Sequence, residues 1–531
     1  MKYILIFILL VSLSLEARIY SASQLSSKPK SLQKDFYIYL LLKKGISKKE
    51  ANSLLPQVYR LSPKLKKAFT PYIDKFKRRA YCASLKDKEL LGRYGDCVEA
   101  GLSLYRATLI DPKLLIKIAN SIHNYNQELE ASYKTISTKS FDKLLQLPPK
   151  LLLKTFNSVG DKFRQHYYNK PFPKKLINRL IKLPSFNLAV EKIVRRDLPN
   201  LQKELVEIDS SFLNEKSNFL LGLNAIKYGQ YENAMKFFKL SQKKSKKVFE
   251  HDKALFWQYL LNKNSSILKE LVNSYDINIY TLYAYEELGE YPENIVYSLD
   301  PKTDKTPFDI KDPFAWLKFK KEFSKDSFAN EEKRREYLLR YNSKWSEPYI
   351  ASMIYNYKNK IRYFLTPYEW YLKNINKKRK TLLYSLARQE SRCIPTEVSS
   401  SYALGMMQFM PFLAKSVAKE LGVRNFDYDM MFDPKTAFAF ANRHLDYLQK
   451  YLNHPLFIAY AYNGGIGFTR REVLAKEFFK KGAFEPFLSM ELIPNAQARR
   501  YGKRVLANYV VYSKVFGEPK SLHSLLDEIL R

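Results

Sequence analysis

The chain has 531 residues, enough for two or three domains, and 46% of them are apolar, so it can bury a sizeable core. The formal net charge of +37 predicts attraction to a polyanion or to acidic groups on a polymer. Basic residues are scattered along the whole sequence, without a zinc-finger, helix-turn-helix or RNA-binding signature, which disfavours nucleic acid as the partner. Few glycines and few β-branched runs favour helices over sheets.

The first residues have the pattern of an export signal. Lys2 precedes an apolar run from Tyr3 to Leu13, and small residues follow. We predict a cleavable signal peptide at residues 1–17, with Ala22 as a second candidate cleavage point. The run is short for a membrane span, and we predict no transmembrane segment after it. An uncleaved N-terminal anchor is the alternative.

Three cysteines are present, Cys82, Cys97 and Cys393. In an oxidising compartment Cys82 and Cys97 could close a loop worth about 3 kcal/mol by the loop-entropy model. The alternative is three free cysteines in the core. No group of cysteines and histidines has metal-ligand spacing, and we predict neither a metal nor another cofactor.

Short amphipathic helical patterns follow one another from about Phe36 to Ser298. The clearest, Phe219–Leu240, is similar to a tetratricopeptide-like helix-turn-helix, and Leu282–Leu299 is a weaker match to the same pattern. Because the period is irregular, we predict an α-superhelical domain of helix pairs at residues 24–300. An ordinary helical bundle is the alternative. Polar residues with proline then mark a linker at Asp300–Asp312. A small helical domain is predicted at 313–363.

The stretch Thr381–Cys393 places a carboxylate on an apolar helical face. Leu383, Leu386, Ala387 and Glu390 follow the i, i+3, i+4, i+7 spacing of one face. Partial burial and the negative end of the helix dipole are both expected to raise the pKa of Glu390. A carboxyl that stays protonated near neutral pH suits general acid catalysis at a glycosidic oxygen. The alternative is a helix-end glutamate that reaches solvent or pairs with Arg388 or Arg392.

Three later segments carry further candidate residues, each with a structural alternative. Ser399–Pro411 combines small, hydroxyl, methionine and glutamine residues, as a sugar-binding groove or a methionine-rich core turn would. Ala459–Gly467 ends an apolar helix in a glycine-rich loop, which presents a tyrosine and an asparagine to a cleft or is an ordinary C-cap. Met490–Pro494 offers a second carboxylate, or is simply a solvated helix start.

These four segments, in this order, resemble the soluble lytic transglycosylases of bacterial cell walls. The resemblance covers about Leu382–Gly517 and rests on ARQESR, S-x-x-x-A-x-G-x-M-Q-x-M-P, AYNGGxG, and E-x-I-P before RRY. It implies an all-α protein with an N-terminal superhelix, a small linker domain and a goose-lysozyme-like catalytic domain at 364–531. It also implies a periplasmic enzyme that acts on peptidoglycan glycan strands. Proteins of cell-wall synthesis or division are further candidate partners.

The resemblance also assigns roles to residues. Glu390 matches a single catalytic acid that then acts as base, cleaving the β-1,4 MurNAc–GlcNAc bond without water to leave a 1,6-anhydromuramyl end. The residues expected to bind substrate are Ser399, Gln408, Met410, Tyr462, Asn463 and Glu491. Tyr402 stands where many members have glycine, and we expect it to narrow the groove. A hydrolytic goose-type lysozyme and a non-catalytic peptidoglycan-binding scaffold are the alternatives.

Overall fold

The computed structural model describes residues 20–324, 328–355 and 360–531, and the predicted signal peptide at 1–17 lies outside the described residues. Helices are the main regular structure of the described chain, and its two strands, Ile295–Val296 (β1) and Arg362–Tyr363 (β2), have two residues each and pair with each other. The predicted all-α class is therefore confirmed. Within these ranges no helix combines the length and the apolar character that a membrane span requires.

The chain separates into two compact units, each assembled from segments that are distant in sequence. The first unit takes in the described residues within 1–72, 296–356 and 363–451, and the second those within 73–295, 357–362 and 452–531. The consecutive domains that we predict at 24–300, 313–363 and 364–531 follow the order of the chain instead. That division stays a prediction.

The helices of the first unit are α1 (Ala22–Ser26), α2 (Leu32–Lys44), α3 (Lys48–Leu54), α4 (Pro63–Phe69), α21 (Pro313–Glu322), α22 (Glu331–Leu339), α23 (Glu347–Ile354), α24 (Lys377–Ser391), α25 (Pro411–Glu420) and α26 (Pro434–Gln449).

The helices of the second unit are α5 (Asp74–Ser84), α6 (Gly95–Gly101), α7 (Leu104–Ala107), α8 (Pro112–Ser121), α9 (Gln127–Thr138), α10 (Phe141–Leu145), α11 (Pro149–Ser158), α12 (Asp161–Phe163), α13 (Lys174–Leu180), α14 (Phe186–Arg195), α15 (Pro199–Glu204), α16 (Glu215–Lys227), α17 (Tyr231–Lys244), α18 (Val248–Asn262), α19 (Ser265–Val272), α20 (Ile279–Glu287), α27 (Pro455–Gly464), α28 (Ile466–Phe468), α29 (Phe487–Leu492), α30 (Ala496–Val515) and α31 (Leu522–Asp527).

Polar caps in the sequence explain where many of these helices begin. Helices α1 to α4 each start after a serine whose hydroxyl accepts a hydrogen bond from the third backbone N–H of the helix. This bond satisfies one of the donors that a helix start leaves unpaired. Proline also stands at the first turn of α4, where its fixed φ favours a helix and its missing N–H is not needed.

The second unit contains the predicted helix-turn-helix at Phe219–Leu240. It consists of the end of α16 and most of α17, which pack through aromatic rings in the core. The ring of Phe238 lies 5.5 Å from the rings of both Phe219 and Trp257, measured between centroids. Contacts of this kind add stabilisation beyond the apolar area that they bury.

A disulfide joins Cys82 at the end of α5 to Cys97 in α6, with 5.1 Å between their Cα atoms. This is the pairing that we predict as one alternative. Cys393, in the first unit, is a buried free thiol, and burial raises its pKa to about 12. A thiol that stays protonated is a poor nucleophile, so Cys393 is a core residue.

Candidate active site

Glu390 occupies the last turn of α24. Asn376 caps the start of this helix, and Arg392 ends it with a left-handed backbone (φ 57°). The predicted apolar face is confirmed, because Leu383, Leu386 and Ala387 are fully buried. Glu390 itself is half-buried. The carboxylate therefore follows directly on a buried stripe and keeps partial access to solvent.

The two arginines that we considered as partners of Glu390 both contact aromatic rings. Arg388 donates from Nε to the carbonyl of Tyr363 at 2.8 Å, and its guanidinium lies 3.6 Å from the centroid of the Phe364 ring. The guanidinium of Arg392 lies 4.5 Å from the Tyr355 ring. Each arginine thus has a cation–π partner of its own in the first unit.

The loop after α24 is tied to the residue next to Glu390. Ser391 donates from Oγ to the carbonyl of Met406 at 2.9 Å. Two β-bridges, Val398 with Leu404 and Leu404 with Phe409, fold the loop on itself. Gly405 is required at its centre, since its φ is +76° and an added Cβ would lie 2.0 Å from the Met431 carbonyl oxygen.

The methionine-rich segment Ser399–Pro411 contains both core residues and residues that solvent can reach. Met406 and Met407 are fully buried and belong to the core, whereas Gln408 and Met410 are half-buried. The Gln408 amide donates to the carbonyls of Glu397 (3.1 Å) and Gly405 (2.8 Å). Its nitrogen is thus used inside the loop, and its Oε1 is the acceptor that a ligand can use.

Ser399 organises the turn beside this segment. Its Oγ accepts hydrogen bonds from the backbone N–H groups of Ala403 (2.9 Å) and Ser401 (3.3 Å), and the side chain is half-buried. The hydroxyl hydrogen is still available as a donor. Ser399 and Gln408, which lie in the same bridged loop, are thus both held by backbone groups.

The expectation that Tyr402 narrows the groove is wrong. Tyr402 is 1% exposed, and its ring packs 5.8 Å from that of Phe36 and 5.3 Å from that of Tyr39, both in α2. Lys64 lies 5.3 Å from the same ring. A left-handed backbone (φ 66°) turns Tyr402 into the core of the first unit, where it packs against an N-terminal helix.

Tyr462 and Asn463 lie in the last turn of α27, in the second unit, and both are half-buried. Two residues earlier, Tyr460 is fully buried. Gly502 of α30 allows a close approach here, because an added Cβ would lie 2.1 Å from Cε1 of the Tyr460 ring. The packing of α27 on α30 therefore fixes the turn that carries Tyr462 and Asn463.

Glu491 lies in α29 and is 2% exposed, which differs from the solvated helix start considered above. Its Oε1 forms an ion pair with Lys503 of α30 and accepts a hydrogen bond from the Tyr280 hydroxyl of α20 at 2.6 Å. Arg195 of α14 donates to its backbone carbonyl. The carboxylate is thus enclosed by groups of the second unit.

The buried charges of Glu491 and Lys503 stabilise each other. Burial acts to raise the pKa of Glu491, but the Lys503 and Lys253 charges and the hydrogen bonds from Lys503 and Tyr280 outweigh it and lower that pKa to about 2. Burial lowers the pKa of Lys503 to about 8, against the attraction of Glu491. Both partners are therefore ionised near neutral pH.

Lys503, Tyr280 and Arg195 are not among the residues predicted from the sequence. Lys503 comes 12 residues after Glu491, and an apolar pattern around a lysine in α30 is the one signal that could have indicated its burial. Tyr280 and Arg195 are 211 and 296 residues away. Nothing local in the sequence pairs them with a glutamate in the C-terminal part.

Comparison with known proteins finds a family match for the part of the chain that carries the candidate residues from Glu390 to Asn463. Residues 371–484 match the family described as transglycosylase SLT domain. The match includes Glu390, Ser399, Gln408, Met410, Tyr462 and Asn463. Glu491 lies beyond it.

Two curated proteins are similar over this part of the chain. The soluble lytic murein transglycosylase of Salmonella typhimurium is 30% identical over 142 residues, which are 26% of this chain and 21% of that protein. The putative soluble lytic murein transglycosylase of Haemophilus influenzae is 33% identical over 137 residues, 26% of this chain and 22% of that protein. The aligned region thus spans about a fifth of the length of these relatives.

Two solved structures are similar over most of the chain. The lytic transglycosylase Slt of Pseudomonas aeruginosa has 14% identity and a TM-score of 0.46, covering 93% of this chain and 88% of that one. The 70 kDa soluble lytic transglycosylase of Escherichia coli has 17% identity and a TM-score of 0.49, covering 94% of this chain and 83% of that one.

Proposed function

We propose that this protein is a periplasmic lytic transglycosylase that cleaves the β-1,4 MurNAc–GlcNAc bond of peptidoglycan without water. The observation that carries the proposal is the position of Glu390, which ends the buried face of α24 inside the SLT domain. The curated relatives, both named as soluble lytic murein transglycosylases, support the same activity. The net charge of +37 suits a substrate whose peptide stems carry carboxylates.

In this mechanism Glu390 acts twice. Its protonated carboxyl first gives a proton to the glycosidic oxygen as the bond from that oxygen to C1 of the muramyl sugar breaks. The carboxylate then takes the proton of the C6 hydroxyl of the same sugar, whose oxygen attacks C1. The products are a free hydroxyl on the leaving sugar and a 1,6-anhydromuramyl end. Because the nucleophile belongs to the substrate, no carboxylate is needed to activate water.

Six residues of the region from 390 to 463 and beyond were predicted to bind substrate, and five of them keep that role here. We assign the Gln408 Oε1, the Ser399 hydroxyl and the half-buried Met410 to binding of the sugars. We assign Tyr462 to stabilisation of the charge that develops at the reacting sugar, and Asn463 to binding next to it. Glu491 receives a different role, because its carboxylate is enclosed by Lys503 and Tyr280. We assign it to holding α29 and α30 against α20.

The test replaces Glu390 by glutamine, which keeps the size of the side chain and removes the ionisable proton. We expect digestion of purified peptidoglycan to fall by about 10²–10⁴-fold, the usual contribution of a general acid or base, while binding is retained. Glu420→Gln is the matched control, since this α25 glutamate pairs with Arg443 at 2.9 Å and has no assigned role in the reaction. Equal digestion by the parent and the Glu390→Gln variant would show that Glu390 is not the catalytic acid, and no digestion by either protein would leave only the non-catalytic scaffold.

A further inference from the structure

Helix α5 of the second unit is almost entirely exposed. Cys82, which forms the disulfide, is the one residue of its 11 that is buried. Its other side chains include Lys75, Lys77, Arg78 and Arg79, against a single acidic residue, Asp74. A helix with so little buried area gains little stability from packing. Something other than a hydrophobic face therefore keeps α5 in place.

Covalent and ionic links provide that restraint. The disulfide ties the last turn of α5 to α6, and Arg78 pairs with Asp96 of α6 at 2.8 Å. The helix thus presents its cations on a backbone that is fixed at two points. A ligand that binds to such a preformed surface pays less conformational entropy than one that must order a loop.

Three exposed tyrosines lie in α5 or next to α6, and Tyr81 follows Lys77 by one helical turn. Tyr81 in α5 is 52% exposed, Tyr94 before α6 is 83% exposed, and Tyr125 after α8 is 50% exposed. Single exposed apolar side chains are ordinary on a protein surface, whereas a group of them marks an interaction site.

The two chain neighbours of Tyr94 contact the other two rings. The guanidinium of Arg93 lies 5.8 Å from the Tyr81 ring, and Tyr94 is the next residue. The backbone of Gly95 lies against Tyr125, since an added Cβ would be 2.1 Å from Cγ of that ring. We call Tyr81, Arg93, Tyr94 and Tyr125 the aromatic surface. Tyrosine and arginine are the residue types that most often dominate binding energy at interfaces.

We propose that the aromatic surface, together with the cationic side chains of α5, binds an uncleaved glycan strand of peptidoglycan at a second site, outside the SLT domain. Sugar rings present flat C–H faces that pack on tyrosine rings, and the strand's peptide stems carry carboxylates that pair with lysine and arginine. A polymer with both features complements the rings and the charges at once. This inference rests on the proposed function, which supplies the substrate class.

The test measures sedimentation of the full-length Glu390→Gln protein with insoluble peptidoglycan, so that binding is not confused with digestion. Tyr81→Ser with Tyr94→Ser removes two rings, and Lys75→Gln with Lys77→Gln and Arg79→Gln removes three charges while sparing the Arg78 ion pair. We expect each set to raise the Kd by at least about fivefold, as loss of rings or cations from a binding surface should. The charge variants should also lose much of the salt dependence of binding.

The matched control is Tyr59→Ser with Tyr451→Ser, which removes two rings of similar exposure (63% and 51%) from the first unit. We expect it to bind like the parent. Unchanged sedimentation of both surface variants overturns the proposal. So does a loss confined to binding of a DNA duplex or of anionic lipid vesicles, which would assign the surface to a different polyanion.

The same substitutions in the Glu390-containing protein separate this inference from the proposed function. We expect turnover of a short soluble glycan fragment to be unchanged, because such a fragment is too short to need the second site. An enzyme that is active on the fragment, and whose peptidoglycan binding ignores the substitutions, rejects only the second site. A protein without any turnover rejects the proposed function instead.

Discussion

Glu390 and Ser391 are neighbours at the end of α24 with different tasks. Glu390 is the proposed acid and base of the reaction. Ser391 holds the Ser399–Pro411 loop through its hydrogen bond to the Met406 carbonyl. The two candidate binding residues Ser399 and Gln408 belong to that loop. We therefore expect the Ser391 hydroxyl to help set the distance between the acid and the bound sugars. Small displacements of this kind can slow a reaction about 10²-fold.

Ser391→Ala tests this dependence. The change leaves the buried Met406 carbonyl without its partner and should cost about 1 kcal/mol of unfolding free energy. We expect kcat to fall about tenfold or more with less change in KM, because the loop is misplaced relative to Glu390. Steady-state kinetics and thermal unfolding measure the two effects.

Ser385→Ala is the control, since Ser385 is also buried in α24 but donates to the Thr381 carbonyl of its own helix. It should lower stability to a similar degree and leave kcat unchanged. Equal activity of the two variants would show that Ser391 does not position the loop.

For a single residue, the sequence predicts burial that depends on neighbours within one turn of helix, and little that depends on distant segments. The apolar face below Glu390 follows from local spacing, and the structure confirms it. Tyr402 could not be placed, because Phe36 and Tyr39, which bury it, are more than 360 residues earlier. Met406 and Met407 were ambiguous for the same reason, since burial depends on which elements close over the loop.

Among the elements, α20 forms polar contacts with three helices near the end of the chain, α29, α30 and α31. Tyr280 at its start meets Glu491 and Lys503, and Glu286 at its end meets α31. Each contact joins residues more than 200 positions apart, which no periodic pattern encodes. The helices themselves were predictable from apolar spacing and caps, whereas these pairings were not.

Replacing only one member of the Glu491–Lys503 ion pair should destabilise the fold. Glu491→Gln leaves a buried lysine without its counter-charge, and we expect a loss of about 3–5 kcal/mol of unfolding free energy. Lys503→Met should cost a similar amount by stranding the carboxylate. The double variant should recover much of the loss, because no unpaired charge remains.

Chemical denaturation of the three variants measures this coupling. Additive losses in the double variant would show that the two charges do not depend on each other. If Glu491 instead contacts substrate directly, Glu491→Gln should change KM while stability stays the same.

His523 of α31 gives a second, pH-dependent link. Its ring nitrogens lie 2.7 Å from Oε2 of Glu286 and 2.8 Å from Oε1 of Glu287, and the hydrogen bond to Glu286 is the main cause that raises its pKa. A raised pKa means that the folded state favours the protonated ring. This stabilisation is fully present below the unfolded value of about 6.5 and is lost as pH rises through the raised value.

The difference in Tm between the parent protein and His523→Gln should therefore be largest near pH 6 and shrink as pH rises. Thermal unfolding of both proteins over a series of pH values measures it. A difference that is constant or grows with pH would contradict the assignment of a charged His523 to this contact.

At the scale of the whole molecule, each compact unit combines early and late parts of the chain. In the first unit the Tyr37 hydroxyl of α2 donates to Asp429 at 2.6 Å, and α2 also buries Tyr402. In the second unit the helices after Leu452 pack with those between Ile73 and Ile295. Composition shifts and linkers predict consecutive domains, because they contain no information about contacts between distant segments.

In the proposed mechanism Glu390 cleaves the glycan without water. Mass spectrometry of the muropeptides released from purified peptidoglycan distinguishes this reaction from hydrolysis. We expect 1,6-anhydromuramyl ends, about 18 Da lighter than reducing ends because no water is added, from the parent protein and almost none from Glu390→Gln. Reducing muramyl ends would rule out the proposed mechanism and identify a hydrolytic, goose-type lysozyme.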